Sequence, residues 1–194
     1  MLVTADEVGR SLRGTVDLLN QRAEGLRAFD FDARGFRRSF TAIGLTLPAY
    51  VVALSLEQRR ISAAGIDSWS DPFLLVAVGL AHVAAFLSLP LAVLFAARGL
   101  GVEARTTPFV IVTNWIGVVG VTVLSGPTIL LLLGWATPGL AALFTVAGAV
   151  ILLRMQYFAT RLTLGVSGRV ALAVIGLDLA LDIAIHRIMM AAIG

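Results

Sequence analysis

The distribution of apolar and polar positions divides the chain into a polar N-terminal segment, residues 1–38, and an apolar remainder, residues 39–194. In the first segment apolar residues recur at steps of three and four from Val8 to Leu26, which predicts a helix with one apolar face. Thr4 and Glu7 have the spacing of a capping box and mark its start. The remainder contains five apolar runs, at about residues 40–56, 72–97, 107–133, 139–158 and 170–190.

Each of these runs is about as long as a helix needs to be to cross a bilayer. The predicted fold class is therefore all-α: a polytopic helical membrane bundle of about five transmembrane helices, preceded by an amphipathic helix. Composition agrees, because 58% of the residues are hydrophobic, 14% are charged and the mean hydropathy is +0.92. A soluble domain is less apolar than this.

The third run is the ambiguous one, because Ser125-Gly126-Pro127 interrupts it. We interpret residues 107–133 as one long span, tilted or broken at this point, and a re-entrant piece after Gly126 is the alternative. The loop before the second run carries Trp69, which is expected to anchor that loop at the membrane interface.

The amphipathic helix is expected to lie on the membrane surface or to pack against a protein partner or a second copy of the chain. The stretch Phe29 to Phe40 interleaves aromatic residues with arginines. This pattern is compatible with RNA stacking, but the apolar run that follows at once favours an interfacial anchor with its rings at headgroup depth. The predicted partners are therefore the lipid bilayer and a protein, with no nucleic acid.

Arginine placement predicts the orientation of the bundle. All 15 basic residues are arginines, and twelve of them fall on one side of the predicted spans. Arg59, Arg60 and Arg187 fall on the other side. The positive-inside rule then places the N-terminus in the cytoplasm and the C-terminus outside. The absence of lysine is typical of a GC-rich bacterial genome, so the predicted location is a bacterial inner membrane.

The last run, residues 170–190, carries most of the candidate chemistry. Asp178, Asp182 and His186 are four residues apart, so they share one face of a helix. An ionised carboxylate at mid-membrane costs at least ~2.5 kcal/mol. We therefore expect these groups to be neutral, paired or in contact with water.

The opposite face of the same run carries Gly176, Ala180 and Ala184, again four residues apart. Small residues at this spacing allow a second helix to approach closely. Gly117 in the third run is expected to serve the same purpose. With a polar stripe on one side and small residues on the other, the last helix is expected to lie inside the bundle.

Two interpretations of the polar stripe remain open. In the first, the stripe lines a path for protons or cations, and His82 of the second run joins it. The two aspartates and two histidines would then also form a candidate divalent-metal site. Alternatively it is a buried hydrogen-bonded cluster that holds helices together, with Arg154 and Asn114 as candidate partners.

No enzyme motif is present: the chain lacks Gly-x-Ser-x-Gly, His-Glu-x-x-His, the P-loop and Gly-x-Gly-x-x-Gly, and it has no cysteine. An intramembrane hydrolase that uses Asp178 and Asp182 has only their spacing in its favour. We therefore expect neither enzymatic activity nor a cofactor.

The layout of the chain resembles the Yip1-domain family of membrane proteins. The resemblance consists of the polar N-terminal segment, the Phe29–Phe40 anchor, five spans and almost no C-terminal tail. It implies a non-enzymatic scaffold in membrane organisation and carries over no site residue. The favoured prediction is thus a membrane scaffold or accessory protein, and the alternative is a small proton- or cation-coupled transporter.

Overall fold

The structure is a computed structural model that describes residues 3–63 and 72–193. Every regular element in these residues is a helix, which confirms the all-α class. Trp69, the expected interface anchor, lies outside the described residues. The described α-helices are α1 (Ala5–Leu19), α2 (Ala33–Ser39), α3 (Ala42–Ala63), α4 (Pro72–Leu100), α5 (Thr106–Leu132), α6 (Pro138–Leu164) and α7 (Gly168–Ile193), and 3₁₀ helices cover Ala23–Ala28 and Glu103–Arg105.

Among the described residues, three helices are long and apolar enough to cross a bilayer. They are α4 over Val76–Leu100, α5 with its preceding turn over Glu103–Leu132, and α6 over Pro138–Leu164. These helices are compatible with a membrane-embedded protein. The predicted count of five spans is not confirmed, because α3 continues into the polar residues 57–60 and α7 contains Asp178, Asp182 and Arg187.

Helix α1 begins as its capping residues predict, with the Thr4 hydroxyl accepting a hydrogen bond from the Glu7 N–H at 3.3 Å. It ends at Leu19, although the apolar period continues to Leu26. Gln21 adopts a left-handed backbone conformation, with φ of 58°, where the chain turns back. The period continues because the Ala23–Ala28 3₁₀ helix returns Leu26 to the same apolar core. The apolar period therefore indicates which residues are buried, and it does not give the length of a single helix.

The returning 3₁₀ helix contacts α1 backbone to backbone. A Cβ atom added at Gly14 would lie 2.5 Å from the Cβ of Ala28 and 2.7 Å from the carbonyl oxygen of Gly25. A Cβ at Gly25 would likewise meet the Gly14 carbonyl oxygen. Only glycine permits this approach, so the pair sets the distance between the two elements.

The apolar face of α1 is covered by the chain's own bundle. Leu18 is fully buried and Phe29 is 6% exposed, and both join a core that includes Trp115 of α5 and Met155 of α6. In the structure this face therefore contacts α5 and α6, where the sequence led us to expect the membrane surface or a separate partner. The N-terminal segment is part of the folded unit.

The rings of the predicted interfacial anchor also turn inward. Phe36 and Phe40 pack edge to face, with ring centroids 5.2 Å apart, and both contact buried residues of the bundle. Phe31 remains 40% exposed. The anchor was expected to place its rings among lipid headgroups, but burial against the bundle removes more of their apolar surface from water.

Helix α5 is the central element and contacts α1, α2, α3, α4 and α6. It runs without a break through Ser125-Gly126-Pro127. The described chain therefore has one continuous helix here and no re-entrant piece. Packed neighbouring helices and local side-chain hydrogen bonds allow a proline inside a long helix, and the Ser125 hydroxyl donates to the Thr122 carbonyl at 2.9 Å.

Helix α7 lies at the edge of the bundle. It packs against α4 and α6 through its first half, where Ala171, Val174 and Ile175 are buried. Its other side is exposed, Leu172 by 60% and Ile183 by 60%. The expectation that this helix lies inside the bundle is wrong, because one side of it remains exposed. The leucine and isoleucine side chains on that side suit a lipid-facing surface.

Candidate functional site

The first carboxylate of the predicted stripe is engaged inside the fold. Asp178 is half-buried in the contact between α6 and α7, and the Gln156 side-chain amide donates a hydrogen bond to it at 2.6 Å. Gln156 was missed in the sequence, although a glutamine within a mostly apolar span is itself a signal, because such a span contains few polar side chains.

The other two members of the stripe are not engaged in this way. Asp182 and His186 are exposed, and neither forms an ion pair or hydrogen bond with another residue that the structure describes. The three residues share a helix face as predicted, but that face runs from the α6 contact onto the outer surface of α7. The stripe does not line an enclosed path within one chain.

The small residues of α7 lie on the exposed side. Gly176, Ala180 and Ala184 are all exposed, and a Cβ added at Gly176 would meet nothing within 4 Å. Gly117 of α5, in contrast, lies under Phe86 of α4, whose ring would be 3.8 Å from a Cβ at that position. Gly117 therefore serves helix packing within the chain, and the three residues of α7 do not.

His82 belongs to a separate cluster between α3 and α4. Its Nε2 lies 2.9 Å from the Thr46 hydroxyl, and the Tyr50 ring covers it with centroids 4.0 Å apart. The Thr46 hydroxyl donates to the Ile43 carbonyl at 2.7 Å, so this oxygen accepts from His82 and the proton is assigned to Nε2. The Tyr50 hydroxyl donates to the Val78 carbonyl at 3.2 Å.

An apolar groove opens beside this cluster. It has a volume of about 400 Å³ and lies between α3 and α4, and its lining includes His82, Leu47, Val76, Leu80 and Val83. Because His82 is already bonded to Thr46, the groove offers little hydrogen-bonding capacity to a ligand.

The two predicted partners of the stripe lie elsewhere. The Asn114 amide donates to the Ser39 hydroxyl at 2.9 Å and joins α5 to α2, while its buried Oδ1 has no partner among the described residues. Arg154 is exposed on α6 and forms no ion pair within the described chain. Both candidate assignments were wrong, because sequence spacing within a helix does not determine which neighbour a face meets.

A buried ion pair lies next to the Asn114–Ser39 contact. Arg38 of α2 donates to Glu7 of α1 at 2.7 Å, and their side chains are only 19% and 11% exposed. Nothing in the sequence identifies this pair, because 31 residues separate its members. We call Glu7, Arg38, Ser39 and Asn114 the polar junction, since together they fasten α1 and α2 to α5.

Outside the spans, Asp32 caps helix α2. Its carboxylate accepts a hydrogen bond from the Gly35 N–H at 2.6 Å, which lowers the pKa of Asp32 below its usual value of 3.8. A Cβ at Gly35 would collide with the Asp30 carbonyl. The start of α2 is therefore fixed both by its cap and by a glycine.

These clusters do not combine into a metal centre. No group of three histidine, aspartate or glutamate side chains that could hold a metal ion is present among residues 3–63 and 72–193. In particular, His82 is committed to Thr46 and is not joined to Asp178, Asp182 and His186 in such a group. Comparison with protein-family models, curated proteins and solved structures finds no match to this chain.

Proposed function

We propose that this protein is a multi-pass membrane scaffold or accessory protein without enzymatic activity. The observation that carries the proposal is the division of its buried and half-buried polar groups into three separate places: Gln156 with Asp178, Thr46 with His82, and the polar junction. A transport path requires polar groups in a continuous series that water can reach. Separate hydrogen-bonded pairs instead hold neighbouring helices together.

The docking surface of the scaffold is the charged outer side of α1, the Ala23–Ala28 3₁₀ helix and α2. Burial of the apolar face against α5 and α6 leaves Arg13, Arg27, Arg34 and Arg37 exposed. None of these four forms an ion pair within the described chain. Guanidinium groups in this position favour an acidic surface on a protein partner.

The proposed topology has five spans, with the N-terminus in the cytoplasm of a bacterial cell. Helices α3 and α7 contain 22 and 26 residues and are long enough to cross a bilayer. The twelve-to-three division of arginines supports this orientation. The layout shared with Yip1-domain proteins supports the same class of function.

The alternative function is a small proton- or cation-coupled transporter. The exposure of Asp182 and His186 favours it, because ionisable groups at membrane depth commonly face water or a second helix. In that case a second protein chain would enclose the path that one chain leaves open.

Access of water to Asp182 distinguishes the two functions, and the cysteine-free chain makes labelling specific. We would make Asp182→Cys and the matched variant Ile183→Cys and treat intact cells with a membrane-impermeant thiol reagent. The scaffold predicts that neither position reacts. Reaction of residue 182 from outside without reaction of residue 183 would contradict the scaffold and support a path.

Retention of a partner tests the scaffold directly. The variant Arg13→Glu with Arg27→Glu reverses two exposed charges that the fold does not use, so the midpoint of thermal unfolding should not change. Retention of a cross-linked partner should fall relative to Arg98→Glu, a control at a 93% exposed arginine side chain of α4. Equal retention by both variants would overturn the assigned docking surface.

A further inference from the structure

Arginines from α6 and α7, and one that directly precedes α5, surround the turn between α6 and α7. Gly165 caps the C-terminal end of α6, with a φ of 67°, and donates its N–H to the Arg161 carbonyl at 3.0 Å. The guanidinium of Arg105 lies directly against Gly165, where a Cβ atom would collide with it. Arg105 and Arg161 therefore lie at the same end of the bundle.

Tyr157 connects Arg161 to the first turn of α7. The guanidinium carbon of Arg161 is 5.8 Å from the centre of the Tyr157 ring, at the outer limit of a cation–π contact. The hydroxyl of Tyr157 lies against Gly168, since a Cβ there would be only 2.5 Å from it. Arg169 is the next residue, so the third arginine is beside the same turn.

No ion pair among the described residues balances the positive charge at this turn. Arg105, Arg161 and Arg169 are exposed, and none forms an ion pair in the described part of the chain. The sequence contains no acidic residue from Thr106 to Leu177. Nearby Glu103 is already bonded to Arg98 at 3.2 Å. The three guanidinium groups are therefore available to an anionic ligand.

In the proposed topology the turn lies at a boundary of the membrane. Helix α5 begins at Thr106 and α6 ends at Leu164, and both helices are long and apolar enough to span. Phosphate groups of lipids lie at this depth, and arginine binds phosphate through paired N–H donors. Leu172, one turn into α7, is 60% exposed and offers apolar surface to a lipid chain.

We propose that Arg105, Arg161 and Arg169 form a binding site for the headgroup of an anionic phospholipid. The phosphate is held by the guanidinium groups around the turn, and the acyl chains lie along α7 beyond Leu172. The site rests on the proposed topology, in which α5 and α6 span the membrane and α7 enters the bilayer beside them. It therefore stands whether the protein is a scaffold or a transporter.

The test measures which lipid the purified full-length protein retains. The protein is exchanged into mixed micelles of phosphatidylglycerol and phosphatidylcholine, and bound lipid is counted by native mass spectrometry. Wild type should prefer phosphatidylglycerol. Arg161→Gln with Arg169→Gln should reduce that preference about 30-fold, because each arginine contributes a factor of about five. Arg105 is left intact because it packs against Gly165.

The matched control is Arg13→Gln with Arg27→Gln, which also removes two exposed arginines that form no ion pair within the described chain. The proposal predicts that this variant keeps the wild-type preference. Equal losses in the control and in Arg161→Gln with Arg169→Gln would mean that net charge alone attracts the lipid, and an unchanged preference in the latter would also overturn the site. Displacement of the lipid by millimolar inorganic phosphate or glycerol phosphate would reassign the site to a soluble anion.

Discussion

The side-chain amide of Gln156 donates a hydrogen bond to the carboxylate of Asp178 across 2.6 Å, which ties α6 to α7. This contact separates Asp178 from Asp182 and His186, which lie on the exposed side of α7. The residues of one polar stripe in the sequence thus lie in two different environments in the fold. Its first member supports the contact between helices, and its outer members do not.

Removal of the Gln156 amide should destabilise the contact between α6 and α7. In Gln156→Leu, Asp178 stays half-buried without its donor, at a cost of about 1–3 kcal/mol. The midpoint of thermal unfolding in detergent should therefore fall. The double variant with Asp178→Leu should recover most of this loss, because it leaves no unpaired polar group. A double variant as unstable as the single one would mean that Gln156 acts through packing alone.

The Glu7–Arg38 pair should hold the N-terminal segment on the bundle. Arg38→Gln leaves a carboxylate that is 11% exposed without its partner, and breaking a buried pair in this way costs about 3 kcal/mol. We expect faster cleavage by trypsin within residues 10–27 while the long helices stay intact. Addition of Glu7→Gln should slow this cleavage again, and Arg37→Gln, at an exposed neighbouring arginine without an ion pair in the described chain, is the control. Equal protection in wild type and Arg38→Gln would contradict the role of the pair.

Two glycines of α1 should respond to alanine with opposite signs. Gly14→Ala places a Cβ 2.5 Å from that of Ala28, so we expect a loss of about 1–3 kcal/mol from overpacking. Gly9→Ala meets only the flexible end of Arg13 at 3.7 Å and should gain about 0.5–1 kcal/mol from helix propensity. Chemical denaturation measures both. A gain at both positions would mean that the Ala23–Ala28 segment does not pack on α1 as described.

Gly165 and Gly134 should respond to alanine alike. Both have a positive φ, of 67° and 73°, which alanine adopts at a cost of about 1 kcal/mol. At Gly165 the new Cβ also meets the guanidinium of Arg105, but this is the far end of an exposed, flexible side chain and moves aside at little cost, and nothing lies within 4 Å at Gly134. The two variants should therefore lower the midpoint of thermal unfolding by similar amounts. A much larger fall for Gly165→Ala would mean that Arg105 is held rigidly against the turn.

The cap of α2 should weaken in acid. The hydrogen bond from Gly35 lowers the pKa of Asp32 in the folded protein below its usual value of 3.8. The contribution of the carboxylate to stability is therefore complete above about pH 4 and is lost as the pH falls through the lower, folded value. Asn caps helices without titrating, so stability should fall less between pH 5 and 2 in Asp32→Asn than in wild type. Identical pH profiles would exclude this role of Asp32.

The local secondary structure could be predicted from the sequence because it depends on residues that are close together in the chain. The Thr4 cap, the five apolar runs and the helical class follow from spacing and composition, and each apolar run falls on a helix in the structure. The end of α1 was not accessible in this way, because Leu26 continues the apolar period after the chain has turned at Gln21. A pattern of burial does not record whether the backbone between buried residues is straight.

The partners of polar side chains required the tertiary structure. Asp178, Asn114 and His82 were all recognised as polar groups within apolar segments, but each bonds to a residue that the sequence did not indicate. Those contacts depend on the rotation of each helix and on which helix lies beside it. Packing determines the rotation of each helix and its neighbours, and the spacing of residues along one helix specifies neither of them.

The sequence by itself therefore determined that this is a helical protein with segments apolar enough for a membrane, because hydrophobicity and helix period are properties of consecutive residues. Only the tertiary structure decided that the N-terminal segment is fastened to α5, through Arg38 with Glu7 and Asn114 with Ser39. It also decided that α7 lies at the edge of the bundle. These contacts join residues that are far apart in the chain, and they stabilise the protein only once the helices have packed.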